Sequence, residues 1–368
     1  LGSNGILDNN PGVPATCALL VTGATALNAS SQISNMNGPV NAEFQGNIVQ
    51  GSSGAMIFAT GSTTVFSTNN VAISGAGGGA VTFGGSVIIN DGITVTSSRA
   101  VTITGTLDAS ISGGQWVNDV NSTLTYSSPT QPFNTTGTLV ASASPNTVTY
   151  NGASPTIRNT TYHNLTVSST GSAVIGDITV NNNFTYSGGT AITCVNPSTQ
   201  TFATSSSGTV SSANCSFNNM VISKAGGNLT VGSNFTAVSS LNITSGTLQY
   251  TGTARTVTVS GDLSGAGAIN MTGIAGNTLI LNGSTNSLGS LTTVTGNTIS
   301  YLRAGDQTIF GSLNYAKLNI GGSGIKTLGG NVEVNETITF SAAVLLSLAS
   351  SDLTLGATGT LISSSGAF

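Results

Sequence analysis

Charge is what this chain has least of. Its 368 residues include 7 Lys and Arg together and 11 Asp and Glu, which is 5% charged where about 25% is usual. The cations, Arg99, Arg158, Lys224, Arg255, Arg303, Lys317 and Lys326, are scattered, and the net charge is −4. A nucleic-acid partner needs a clustered positive footprint, so none is expected. No run of 18 apolar residues occurs, so no helical membrane span is expected. Cys17-Ala-Leu-Leu-Val21 is too short for one and lacks a basic flank. No leader is visible and residue 1 is Leu, so the chain reads as a mature or trimmed product.

Catalytic parts are as scarce as charge. His163 is the only histidine, so a His-based metal site or a Ser-His-Asp triad lacks its components, and an ordinary coil position is expected. There is no GxSxG segment. Gly75-Ala-Gly-Gly-Gly79 is not followed by Lys-Ser/Thr and reads as a turn rather than a phosphate loop. The acids are spread out: Asp8, Glu43, Asp91, Asp108, Asp119, Asp177, Asp262, Asp306, Glu333, Glu336 and Asp352. Glu333 and Glu336 are neighbours, but strand alternation should aim them at opposite faces. The paired carboxylates that glycoside cleavage needs are therefore not expected. No CxxC pair suggests zinc, calcium-binding nonapeptides are absent, and no cofactor is implied. Trp116 stands alone, so no aromatic sugar platform is read.

What the chain does have is Gly, 49 residues of it, with Ser, Thr and Asn, and recurring short runs that alternate apolar and polar. Period-2 alternation marks half-buried strands, and no window shows helical spacing. One signature is Thr-apolar-Thr/Ser-Tyr: Thr123–Tyr126, Thr147–Tyr150 and Thr298–Tyr301, with Thr247-Leu-Gln-Tyr250 as a looser copy. Their tyrosines are 24, 100 and 51 residues apart, near multiples of roughly 25, a plausible coil length for a solenoid. A longer signature, Tyr162-His-Asn-Leu-Thr-Val-Ser168, returns as Phe217-Asn-Asn-Met-Val-Ile-Ser223 and Tyr315-Ala-Lys-Leu-Asn-Ile-Gly321. Its spacings, 55 and 153 residues, suggest a double unit of about 51.

The expected fold is all-β: a parallel β-helix (β-solenoid) of roughly 15 coils, roughly 70 Å long, with Val, Ile, Leu and Phe in inward ladders. Residues 1–50, looser and holding Pro11, Pro14 and Pro39, are expected to be an N-terminal cap or subunit-joining segment. Residues 51–368 form the β-solenoid repeat domain. The C-terminal stretch reads as a strand and turn with no polar cap, so the natural chain continues or another subunit stacks there. Cys194 and Cys215 are 21 residues apart, near one coil, so stacking brings them within disulfide reach if registers match. Two free buried thiols are the alternative. Cys17 is left over, buried or bridging subunits.

At Asn146-Thr-Val-Thr-Tyr-Asn-Gly152, Tyr162-His-Asn-Leu-Thr-Val167, Gly322-Ser-Gly-Ile-Lys-Thr-Leu-Gly-Gly330 and Asn331-Val-Glu-Val-Asn335, the sequence resembles the long secreted β-strand-repeat proteins of Bacteroidetes-type bacterial surfaces. The resemblance covers roughly residues 60 to 368. It implies a β-helical stalk or adhesin and brings no catalytic residues. The C-terminal sorting domain usual in such proteins is not seen.

The expected function is therefore structural or adhesive and not enzymatic: the stalk of a surface adhesin, or the subunit of a self-assembling extracellular filament. The partners expected are another copy end to end, cell-surface or matrix components, and glycans. The Asn/Ser/Thr-rich, Lys-poor composition sets the extracellular, cell-surface reading. A solenoid that binds or cleaves polysaccharide is the alternative. Ice binding by flat threonine ladders is weaker, because Thr-x-Thr (Thr147-Val-Thr149, Thr256-Val-Thr258) does not recur at one fixed interval.

Overall fold

A computed structural model describes residues 6–8, 18–28, 31–34, 41–111, 113–134, 136–188, 192–212, 215–311 and 313–363. All regular structure among them is β. Two compact units are present, residues 1–178 with 187–191, and residues 179–186 with 192–368. Each is a parallel β-solenoid with three strand-bearing faces per coil.

In the first unit, one face stacks strands from Ile6–Asp8 through Gln32–Ser34, Ala55–Phe58, Val81–Phe83, Ala100–Ile103, Thr123–Tyr126 and Thr147–Tyr150 to Asn164–Val167. Two further ladders run beside it. One joins Ala18–Val21 to Leu107–Ala109, the other Thr25–Leu27 to Thr138–Val140. The described strands within the first fifty residues already belong to these ladders.

Alternation decides which side chains enter the core. Thr123-Leu-Thr-Tyr126 and Thr147-Val-Thr-Tyr150 both show an outward-inward burial pattern, with Leu124, Tyr126, Val148 and Tyr150 fully buried. Met56, Val81, Val101, Leu124, Val148 and Leu165 lie in register as one inward column. Burying each such side chain is worth about 1.5–3 kcal/mol. Phe58 and Phe83 stack in the next column, ring centroids 5.8 Å apart.

Coil length varies although register does not. In that column the chain travels farther from Met56 to Val81 than from Val81 to Val101, and least of all from Val148 to Leu165. The coil length of roughly 25 residues read from the tyrosine spacings is therefore an approximate step and not a fixed one. The ladders set the register and the corners absorb the difference.

In the second unit, one face runs from Ile192–Cys194 through residues 215–217 and 235–237, Thr256–Val259, Thr278–Leu281, Thr298–Tyr301 and residues 317–320 and 337–340 to Thr360–Ser363. Its steps are more even than those of the first unit. Two strands, Cys215–Val231 and Phe235–Tyr250, remain extended around the corners, with register shifts where they turn. On the last described coil, Leu345, Leu355, Leu361 and Ile362 are exposed.

The longer sequence signature proves to be a corner, not a coil. Tyr162, Phe217 and Tyr315 are inward residues, and each is followed by a buried corner residue, His163, Asn218 or Ala316. The next strand begins one residue later, and register shifts fall at Phe217/Asn219 and Tyr315/Lys317. The copies do not share a face: Phe217 ends a strand on the face just described, whereas Tyr315 lies on another, paired with Val334.

Cations and amides hold the corners. Lys224, fully buried, donates from Nζ to the carbonyls of Asn181, Ala203 and Ser206 at 2.9, 2.9 and 3.0 Å. Lys326 donates to Arg303 and Gly305 carbonyls at 2.7 and 2.8 Å. Arg158 donates to the carbonyls of Phe133 and Gly137, and Arg99 to that of Gly75 and, through Nε, to Gln50 Oε1. Asparagine clips recur as well. The side-chain oxygens of Asn47, Asn70, Asn183, Asn234 and Asn331 accept backbone N–H groups of Ala72, Thr94, Thr209, Thr256 and Asp352, one coil on. Gly75 shows why one corner needs glycine: its φ is +117°, and a Cβ there would meet the Gln50 carbonyl.

Candidate functional site

The first face of the first unit carries an outward row in strict register. Thr82 pairs with Thr102, Thr102 with Thr125, Thr125 with Thr149, and Thr149 with Thr166. A second row, two residues earlier, holds Thr123 opposite Thr147, with Asn164 next. A third, just past the strands, contains Thr104, Ser127, Asn151 and Ser168, where the Ser127 hydroxyl donates to Asn151 Oδ1 at 2.6 Å. The strands and the positions just past them contain no charged residue across residues 81–84, 100–104, 123–127, 147–151 and 164–168. Geometry then dictates the array: hydroxyls and methyls repeat every ~4.8 Å from coil to coil and every ~6.6 Å along each strand.

Sequence alone weighed Thr-x-Thr by its interval along the chain and found none. The intervals differ because corners differ in length, whereas the side chains align. Inter-coil register was the missing signal. It could have been found by aligning apolar-Thr-aromatic triplets (Val81-Thr-Phe83, Leu124-Thr-Tyr126, Val148-Thr-Tyr150) rather than counting residues.

Other candidates fall elsewhere. His163 is nearly buried at its corner, where its N–H donates to the Ala141 carbonyl at 2.8 Å and its Nε2 lies 3.4 Å from Ser144 Oγ. Glu333 and Glu336 do not face opposite ways. The register shift at the corner leaves both outward, and Glu336 accepts Gly296 N–H at 2.6 Å and pairs with Lys317 at 3.7 Å. The Glu43 carboxyl is held below its ordinary pKa by hydrogen bonds from the Ser67 hydroxyl and the Gln45 amide. Among the described residues no three His, Cys, Asp or Glu side chains converge as a metal group. Trp116 is fully buried between Val95 and Leu139. Asn183 and Asn234, which begin Asn-x-Ser/Thr sequons, are corner clips.

The thiols of Cys194 and Cys215 are free, without the disulfide their spacing suggested. The coil there is longer than that spacing: Ile192 lies opposite Cys215, and Cys194 sits two positions further along. That diagonal is roughly 8 Å between Cα atoms, beyond the roughly 7 Å limit for a disulfide. Burial pushes the Cys194 thiol up to about 11 and the deeper Cys215 thiol higher. Cys17 lies outside the described residues.

Compared with known proteins, the chain matches no family model, no curated protein and no solved structure.

Proposed function

We propose that this chain is a structural and adhesive repeat segment of an extracellular protein, a stalk or filament subunit, and that the threonine face of its first unit meets an ordered, uncharged polysaccharide surface. The unbroken row Thr82, Thr102, Thr125, Thr149 and Thr166 carries the reading. A repeating row meets a repeating polymer many times over, and weak single contacts then sum to retention. Supporting it, five of the seven cations bind backbone carbonyls at corners or coil edges, so charge serves cohesion. The reading assigns no catalytic step.

Co-sedimentation with insoluble cellulose, chitin and bacterial matrix glycan tests it. Wild type should pellet with at least one of them, and Thr125→Lys/Thr149→Lys should remain in the supernatant. Equal pelleting of both proteins, or none, defeats the proposal, and release of reducing ends would show a cleaving enzyme instead. Sedimentation velocity at rising concentration tests end-to-end self-association.

The same row favours ice as a second reading. Thr123-Leu-Thr125 and Thr147-Val-Thr149 set four hydroxyls in register across two adjacent coils. Thermal hysteresis of zero at millimolar protein removes it.

A further inference from the structure

At one corner of the second unit, three successive coils form a notch of about 290 Å³. The first supplies Ile192, Thr193, Cys194 and Asn196, the second Ser216 and Asn218, the third Val238 and Ser239. Its concavity has a plain origin. The first coil takes residues 195–198 to turn this corner, whereas the second turns on Asn218 alone, at a register shift between Phe217 and Asn219. The wide turn stands out beyond the tight one.

Among the described residues, no charged side chain lines the notch. Thr193, Asn196, Ser216 and Ser239 are exposed, and Asn218 is buried at its base. The Asn218 backbone N–H donates to Gln200 Oε1 at 2.9 Å, and its side-chain oxygen accepts the Ser239 hydroxyl. Its Nδ2 is less well served, with the Val195 carbonyl and Asn196 Oδ1 both at 3.4 Å. Those are long, weak bonds, so this amide can turn to a better acceptor. Val238, 47% exposed, adds an apolar wall.

We propose that this notch binds a single neutral sugar ring, with an apolar C–H face against Val238 and hydroxyls shared with Asn196, Asn218 and Ser216. Neutrality follows from the lining: nothing there would neutralise a carboxylate, a phosphate or an ammonium group, whose desolvation would go unmatched. The volume is just below the range of drug-sized sites and suits one ring. The proposal does not rest on the threonine face.

Cys194 lines the notch and is half-buried, so its alkylation reports occupancy. With the full chain at mildly alkaline pH, iodoacetamide labelling of each cysteine is followed by peptide mass mapping while methyl hexopyranosides are titrated. A ring held with a Kd of about 1–10 mM, typical of one small contact, should slow Cys194 labelling about fivefold or more near saturation. Ser216→Trp, which fills the notch from an exposed position, should abolish the protection, and Thr292→Trp on another face should retain it. Saturation-transfer NMR on the wild type gives a second readout should Ser216→Trp fail to fold. No protection and no transfer by any neutral sugar, equal protection by a uronic acid or an amino sugar, or protection surviving in Ser216→Trp would each overturn the assignment. Because the readout uses soluble sugar and the second unit, it stands or falls separately from pelleting with polysaccharide.

Discussion

The phenol oxygens of Tyr150 and Tyr162 lie 2.8 Å apart in the core and close a ring of hydrogen bonds around one backbone residue. The Arg158 N–H donates to Tyr150 at 3.3 Å, and Tyr162 donates to the Arg158 carbonyl at 2.6 Å, which leaves Tyr150 to donate to Tyr162. The second unit repeats the arrangement. Phe310 N–H donates to Tyr301 at 3.0 Å, Tyr315 donates to the Phe310 carbonyl at 2.6 Å, and the phenols are 2.8 Å apart. The short and the long sequence signatures are thus two halves of one module.

Removing one hydroxyl from the ring orphans both its donor and its acceptor. Tyr162→Phe should destabilise the first unit by about 2 kcal/mol, and Tyr315→Phe the second by a similar amount. Tyr150→Phe/Tyr162→Phe should cost less than the two single changes added together. Urea unfolding curves followed by hydrogen exchange in each unit would measure this, and additive costs would deny the ring.

Burial also keeps these phenols protonated, with Tyr301 pushed up to about 12 and Tyr162 and Tyr315 well above the ordinary value. A raised folded-state pKa means the native chain holds protons that the unfolded chain releases near pH ~10. Stability should be unaffected by these phenols below that pH and fall as pH rises above it. A flat alkaline limb in thermal unfolding from pH 9 to 12 would contradict the burial.

Lys224 has the opposite sign. Burial lowers its pKa to about 8 from 10.5, so between those values the unfolded chain binds the extra proton. The cost of keeping it charged is complete below pH 8 and is relieved as pH rises through the window. The stability of the wild type relative to Lys224→Met should therefore increase from pH 8 to 10.5. A difference that does not change with pH would mean the three carbonyls fully offset desolvation.

Inward columns should respond as packed cores do. Leu124→Ala, at a fully buried position between Val101 and Val148, should cost about 3 kcal/mol. Thr125→Lys, one residue away but outward, should change stability by no more than about 0.5 kcal/mol. Similar losses at both positions in thermal unfolding would contradict the alternation.

Much of this was legible in sequence because alternation is local. Thr123–Tyr126 and Thr147–Tyr150 read as strands and do stack in register, tyrosine on tyrosine. Corners were illegible because their geometry depends on the neighbouring coil. Tyr162-His-Asn and Phe217-Asn-Asn stood out only as a recurring signature, and the central residue of each is the turn. Cys194 and Cys215 missed each other for the same reason: the coil between them is longer than the interval that separates them in sequence. The scattered cations, taken only as evidence against nucleic acid, gave no hint of carbonyl binding, since the acceptors are backbone atoms far off in the chain, from Ser206 to Asn181 in the case of Lys224. The threonine row was hidden from a count along the chain, because its register is set across coils of unequal length.

Uneven corners over an unvarying ladder make this architecture permissive to insertion. The turn of chain from Leu124 to Val148 is longer than the one from Val148 to Leu165, yet neither disturbs the row outside or the column within. A peptide grafted at an exposed bend, beside Ile111 for example, would be carried as an appendage. Chains of this kind can therefore acquire new recognition loops one bend at a time while leaving the backbone lattice untouched, and can serve as display scaffolds.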